Sequence, residues 1–308
     1  MEYAIDNLLD EERCYLHLVE YFHDGKLCCA SCGGDNHHVH HRRRKPVLQF
    51  QCDDCGTYFN IFTGTAFQGA HWKCSKIVMV LRGFIKGDST LSMSKEMGLG
   101  YRNLLYLRHD LMQNAFDNRE QDILPDKATE SDEMYQNSGE KGIPHPDIED
   151  PPRRRANKKK GLGTWENDRP PVYGTIGRES GQIRLEVLQN TTQKEVGVSL
   201  EMHRSESGVC YTDESGAYNH VSTPLLEHHT VCHSAKEWAR DDDGDGINEV
   251  HTNTAEGLWT ELRNFLRRFK GGSKHFIHLY IAMFEWMHNL KKVKPKIIQA
   301  MTFSHLGT

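Results

Sequence analysis

The sequence predicts an α/β protein, a mixed sheet with flanking helices, preceded by a small cysteine-rich ribbon and a helical segment. Three observations carry this. Two C-x2-C-G pairs, Cys29-Ala-Ser-Cys32-Gly and Cys52-Asp-Asp-Cys55-Gly, stand near the start. Apolar residues then recur at three and four positions between Lys76 and Phe116. From residue 171 onward, β-prone runs bounded by glycine alternate with helical stretches, the order of an α/β sheet.

At 308 residues the chain is long enough for two or three domains with a buried core. Its 38 basic and 43 acidic residues give a formal charge of −5, so net charge alone announces no nucleic-acid partner; the basic residues nevertheless cluster early and in the middle. Apolar runs such as 77–81 fall far short of the roughly 20 residues of a membrane span, and the acidic start MEYAIDNLLDEE is no signal peptide. A soluble, intracellular protein with no membrane partner is expected. Nine cysteines, an odd count with two C-x2-C pairs and no export signal, favour thiolate metal binding over disulfides.

Each C-x2-C-G is a knuckle that points two sulfurs at one ion, so Cys29, Cys32, Cys52 and Cys55 complete the tetrahedral shell that Zn2+ prefers. Cys28 and His37, His38, His40 or His41 are rival ligands, and the symmetry of the pairs argues against them. Four thiolates leave no open position, so this zinc is structural. Between the knuckles Arg42, Arg43, Arg44 and Lys45 form a basic, hairpin-like strip that attracts phosphate without reading sequence, or else a solvated loop. The aromatic run 58–67 and Trp72 are expected to pack the ribbon onto the next domain.

In the helical segment a short helix over 91–97, a Gly98-Leu-Gly100 turn and a longer helix starting at Tyr101, Arg102 and Asn103 read as a helix-turn-helix, with a plain helical bundle as the alternative. Residues 136–171 hold six of the ten prolines around Arg153–Arg155 and Lys158–Lys160, and read as a flexible basic insertion between two strands, one that touches DNA or else is a solvated loop. Order resumes with strands over 171–177 and 182–188 joined by a turn into an antiparallel hairpin, a helix over 192–202, and a strand ending at Asp213. A closing helix carries the apolar stripe Leu258, Trp259, Leu262, Phe265, Leu266 and Phe269, with Thr252 or Thr254 able to cap it.

Three acids then stand at structural junctions: Asp132 on the first strand, Asp213 at the end of the fourth, and Glu256 at the start of the closing helix. Carboxylates from separate elements suit Mg2+, and two such ions can activate an attacking oxygen and stabilise a leaving one in phosphoryl displacement. Arg263, seven positions after Glu256, falls about 20° from it on the helix. Glu249 is a rival third acid. The loop that it ends, 241–249, resembles a calcium loop but has Thr252 where an EF-hand needs glutamate, so a solvated turn is the stronger reading.

The order C-A-S-C-G, C-D-D-C-G, F-T-G-T-A-F, helix-turn-helix, D-E-M-Y, Y-T-D-E-S-G-A-Y, H-S-A-K-E-W and H-T-N-T-A-E-G-L-W-T-E-L-R resembles insertion-sequence transposases of the DDE superfamily, in the group with an amino-terminal zinc ribbon. The resemblance covers about residues 15 to 290. It implies an RNase H-like catalytic domain that cleaves element ends and joins their 3′-hydroxyls to target DNA, using Mg2+ or Mn2+. It implies Asp132, Asp213 and Glu256 as the three acids, Asn253 as a second candidate for the third position, and Arg263 as the basic residue after it. Expected partners are the terminal inverted repeats, target DNA and further copies of the chain, a homodimer or higher; the expected location is cytoplasmic and nucleoid-associated. The domain boundaries are then 1–70 for an amino-terminal helix and the ribbon, 71–122 for the helix-turn-helix, 123–292 for the catalytic domain with its insertion at 136–171, and 293–308 for a tail. A sequence-specific regulator, a nuclease without strand transfer and an inactive element remnant are the alternatives.

Overall fold

The computed structural model describes residues 5–119, 123–156, 162–204, 207–219, 221–289 and 301–303. Lys158–Lys160 of the basic insertion and most of the tail lie outside them. The chain divides into two compact units, Met1–Arg119 with Leu290–Thr308, and Glu120–Asn289.

The first unit opens with α1 (Glu11–His23), whose Asp10 side chain accepts from the Glu12 and Arg13 amides as an N-cap. A three-stranded antiparallel sheet comes next: β1 (His37–Arg44), β2 (Val47–Cys52) and β3 (Tyr58–Phe59). Phe62 and Phe67, both buried, pack on Phe22 of α1, while Tyr58 at the start of the aromatic run is exposed. The helices are α2 (Cys74–Ile85), α3 (Thr90–Met97) and α4 (Tyr101–Asp117). Ser89 caps α3, and Gly98 ends it at φ +60, a left-handed conformation in which a side chain is strained. Buried Arg108 of α4 locks the turn by donating to Thr90 Oγ1 at 2.9 Å and to the Asp88 carbonyl, while its guanidinium rests over Phe84. Met301–Phe303 belong to this unit: the Thr302 carbonyl accepts from Ala66, and Asn114 and Asn118 donate to Met301 and Phe303.

The second unit is built on β4 (Ala128–Tyr135), β5 (Pro171–Gly177), β6 (Ile183–Val187), α5 (Gln193–His203), β7 (Gly208–Asp213) and β8 (Leu226–Val231). These strands form one mixed sheet in the order β6-β5-β4-β7-β8. β4, β5 and β6 pair antiparallel, whereas β7 and β8 run parallel to β4. A parallel return needs a crossover, and α5 supplies it between β6 and β7. A short ribbon, β9 (Ala239–Arg240) with β10 (Val250–His251), leads into α6 (Asn253–Arg267), and α7 (Ile277–Asn289) closes the unit. Every residue of β5 is buried. Such a strand is covered on both faces, which is why it reads as an apolar run. On one face Val196 and Leu200 of α5 meet Tyr173; on the other α6 crosses β4 and β5. The outer edge of β6 is covered by α7, where buried Glu285 accepts from the Leu185 amide at 2.7 Å and Asn289 brackets Ile183. Strand order, mixed direction and flanking helices make this an RNase H-like α/β domain.

The insertion between β4 and β5 is exposed over 146–151, as a solvated loop would be, but an ion cluster that its composition did not show anchors it. Glu140, Asp168 and Lys274 are buried and joined through Arg153, which donates to Asp168 at 2.6 Å and Glu140 at 2.8 Å; Lys274 lies 3.1 Å from each acid. Sequence composition hid this because Lys274 is supplied from beyond α6. Burial pushes both carboxyls up, but the bonds from Arg153 and Lys274 outweigh it and hold them below the usual range. A lowered folded pKa contributes stability above the unfolded value of about 4, lost as pH falls through the folded pKa. Thermal unfolding of wild type is therefore expected to drop steeply below about pH 4. Asp168→Asn should be less stable at neutral pH and show a shallower acid slope. An unchanged slope would place the acid sensitivity elsewhere.

Candidate active site and metal centre

The two knuckles fold alike. The Gly33 amide donates to the Cys29 carbonyl and the Gly56 amide to the Cys52 carbonyl, both at 2.9 Å, and both glycines sit at φ +74. That left-handed turn is what the glycine after each C-x2-C provides. Cys29 and Cys55 sulfurs lie 3.6 Å apart, as do those of Cys32 and Cys52, and all four fall within 4.8 Å of one another. Thiolates on a tetrahedral zinc with Zn–S near 2.3 Å stand about 3.8 Å apart, so the four sulfurs could hold zinc. None of the rival histidines belongs to this cluster, and His38 instead bonds Asp53 at 2.6 Å.

On β1 and its turn, Arg42, Arg43 and Lys45 are exposed. Arg44 is not free to join them: it donates to the Trp72 carbonyl at 2.7 Å and lies over the Phe62 ring, a packing role within its own unit. Tyr101, Arg102 and Asn103 are all exposed on the first turn of α4.

In the second unit β4 and β7 pair parallel with Ala128 opposite Val209 and Glu130 opposite Tyr211. Continued two residues past its last pair, the same offset would run Asp132 alongside Asp213, whose charge Asp132 feels. Burial pushes the Asp132 carboxyl up to about 6, opposed by a 2.7 Å bond from the Trp259 indole and reinforced by the Asp213 charge. Burial likewise raises Asp213, whose carboxylate accepts from the Ser215 amide. Glu133, on the opposite face of β4, is pushed up to about 7 by burial, and Tyr218 donates to it at 2.5 Å. Acids held close and away from water disfavour their own charge, and a hard divalent cation relieves that repulsion.

Sequence reasoning missed what sets this geometry. Gly174 of β5 pairs with Asp132, and a Cβ there would meet the Trp259 ring at 2.6 Å. The missing side chain is thus the space in which Trp259 lies to reach Asp132. Glu130, fully buried two residues before Asp132, accepts from the Thr254 and Ala255 amides at 3.0 and 3.2 Å and from Thr254 Oγ1 at 2.8 Å. Neither Thr252 nor Thr254 caps α6 with its side chain; a strand carboxylate does. Arg178 balances Glu130 at 2.9 Å, spans to the Glu249 and His251 carbonyls, and stacks on Tyr211. Replacing Glu130 by Ala leaves Arg178 uncompensated and two helix amides unpaired, so an expected loss of about 3–5 kcal/mol should appear in urea unfolding. A loss under about 1 kcal/mol, the range of an exposed pair, would mean that the clamp is solvated.

Glu256 and Asn253 are exposed on the first turn of α6, and Arg263 is exposed two turns on. Asp132 is near enough to Asp213 to feel its charge. Among the described residues two groups have ligand atoms all within 4.8 Å, the four cysteines and Asp241, Asp243 and Glu249; the trio with Glu256 is not among them. The 241–249 loop turns on its own side chains, Asp241 accepting from Gly244 and Gly246. No helix among the described residues is long and apolar enough to cross a membrane.

The five-stranded mixed sheet with its flanking helices places the second unit in the RNase H-like class of α/β domains. The sequence profile of the ISXO2-like transposase domain matches residues 130–289, over half of the chain. The protein belongs to that transposase family. It is 26% identical over 260 residues to an uncharacterized protein in transposable element ISH50 of Halobacterium salinarum, covering 83% of each chain. Among solved structures it resembles a chain of the simian T-cell lymphotropic virus intasome in complex with PP2A regulatory subunit B56 gamma (TM-score 0.29, 13% identity, 67% of this chain and 66% of that one). It also resembles the catalytic core domain of BIV integrase (TM-score 0.29, 11% identity, 51% and 80%).

Proposed function

We propose that this transposase cleaves insertion-sequence ends and joins their 3′-hydroxyls to target DNA. The observation that supports the reading is the parallel β4–β7 register, which, continued two residues, carries Asp132 alongside Asp213, whose charge helps to raise Asp132. Asp132, Asp213 and Glu256 are the residues that would hold Mg2+ or Mn2+. Bound there, the ions supply charge for the attacking and leaving oxygens of in-line phosphoryl transfer. Glu256 stands one turn before Trp259 on α6, and Trp259 bonds Asp132. Asn253 is the second candidate for the third position, and Arg263, on the same exposed side of α6, meets the phosphate backbone. Zinc at Cys29, Cys32, Cys52 and Cys55 holds the ribbon.

Arg42, Arg43, Lys45 and the α4 residues Tyr101, Arg102 and Asn103 engage the terminal repeats, the basic side chains by charge and α4 by groove contact. Two ends must be brought together, so the working form is a dimer or larger on DNA. The site of action is the DNA of the cytoplasm or nucleoid. Purified protein, Mg2+ and linear DNA carrying the flanking ends should yield joined products, and Glu256→Gln should yield none. Tight binding without cleavage by wild type would favour a regulator or an inactive copy, and nicks without joining a nuclease.

A further inference from the structure

Directly after Asp213, Glu214 turns its carboxylate to the amides of His233 and Ser234, at 2.8 and 2.9 Å, and so ties the end of β7 to the turn beyond β8. The His233 ring reaches the other side of the site: its Nε2 lies 3.5 Å from Thr252 Oγ1, at the entrance to α6. His233 therefore stands between the strand that carries Asp213 and the helix that carries Glu256. Its Nδ1 is buried with no partner.

The same turn presents Trp238. Its ring lies 5.1 Å from that of His233, yet the residue is 58% exposed. A single exposed aromatic needs no explanation by itself; what marks this one is its place on the turn that joins the end of β7 to the entrance of α6. The turn is rigid: the Cys232 amide donates to Glu237 at 3.0 Å, the Glu237 amide returns to the Cys232 carbonyl, and Arg240 holds Glu237 at 2.9 Å. The backbone that carries the indole is thus set before any ligand arrives, and little of its ordering cost remains at binding. Lys236, exposed at φ +62, stands two residues away as a cation for phosphate. Of the nearby acids, Glu237 is paired with Arg240, Asp242 with Arg240 and His229, and Glu214 keeps its charge on two backbone amides.

We infer that the His233–Trp238 turn is a binding site for an unpaired DNA base beside the cut, with Trp238 as its stacking face and His233 lying between that base and the paired acids. The inference rests on the transposase reading and adds a strand contact to it. A base within a duplex has both faces covered by its neighbours, so an isolated exposed indole selects one that has left the stack.

The test uses the full chain without divalent metal, so that only binding is read, and DNA duplexes of the element end with either a fully paired or a short unpaired flank carrying 2-aminopurine. Wild type is expected to bind the unpaired flank about tenfold more tightly than the paired one, with quenching of the 2-aminopurine. Trp238→Ala should lose both the preference and the quenching while binding paired DNA like wild type, and Trp238→Phe should keep most of each. Equal preference in Trp238→Ala would overturn the inference. So would loss of self-association by Trp238→Ala in light scattering with DNA preference intact, which would give the indole to a second copy. Failure of wild type to cleave in Mg2+ would count against the transposase reading and leave this binding result to stand or fall separately.

Discussion

Replacing Asp213 by Asn is expected to reduce strand cleavage and joining by about a thousandfold or more while leaving binding to the element ends unchanged. The amide has the shape of the carboxylate but no charge with which to hold a cation. Its loss has a second consequence. The Asp213 charge helps to push Asp132 up, so the two acids oppose each other in the folded protein. Removing one relieves that repulsion, and the metal-free variant should unfold at the same or a slightly higher temperature than wild type. Activity lost with the fold intact or firmer is the signature of strain kept for function. Cleavage and thermal unfolding measured on one preparation decide it: retained cleavage, or inactivity accompanied by a large loss of stability, would remove Asp213 from the chemistry.

Stripping zinc, or changing Cys52 to Ser, is expected to unfold the ribbon. Its own apolar core is small, with Phe59 and the two cysteines Cys29 and Cys52 buried and Leu27 and Phe50 packed against them. Such a cluster cannot offset the conformational entropy of a hairpin. Structural zinc contributes an apparent binding free energy on the order of 10–16 kcal/mol, which is then folding free energy for this segment. Limited proteolysis should find β1 and β2 protected in the zinc-loaded protein and cut after chelation, while the unfolding transition of Glu120–Asn289 stays in place. Protection that survives chelation would show that packing alone holds the ribbon. Affinity for DNA should fall with the ribbon, because Arg42, Arg43 and Lys45 lose the strand and turn that align them.

The features legible in the sequence were those written in short range. A knuckle needs four residues and a glycine, and the positive φ of Gly33 and Gly56 comes from that spacing. The helices around Gly98 were visible in their period, and the hairpin of β5 and β6 in its alternation and turn. Asp213 stood out because a β-prone run stops at it. Other features depend on register and on partners far away in the chain. Asp132 meets Trp259 because β5 places a residue without a side chain opposite it, and nothing local to Gly174 announces that role. Glu130 reads as one acid among several in T-E-S-D-E, yet burial beside Arg178 makes it the cap of a helix more than 120 residues away. The basic insertion reads as solvated until Lys274 returns to close its ion cluster. Arg44 reads like its neighbours until the chain folds Trp72 and Phe62 against it. Local shapes could be read from the residues themselves, since backbone preference and periodicity act within a few positions. Which acids are buried, paired or turned to water was set by strand register and helix placement, because desolvation and charge pairing depend on groups brought together only by the fold.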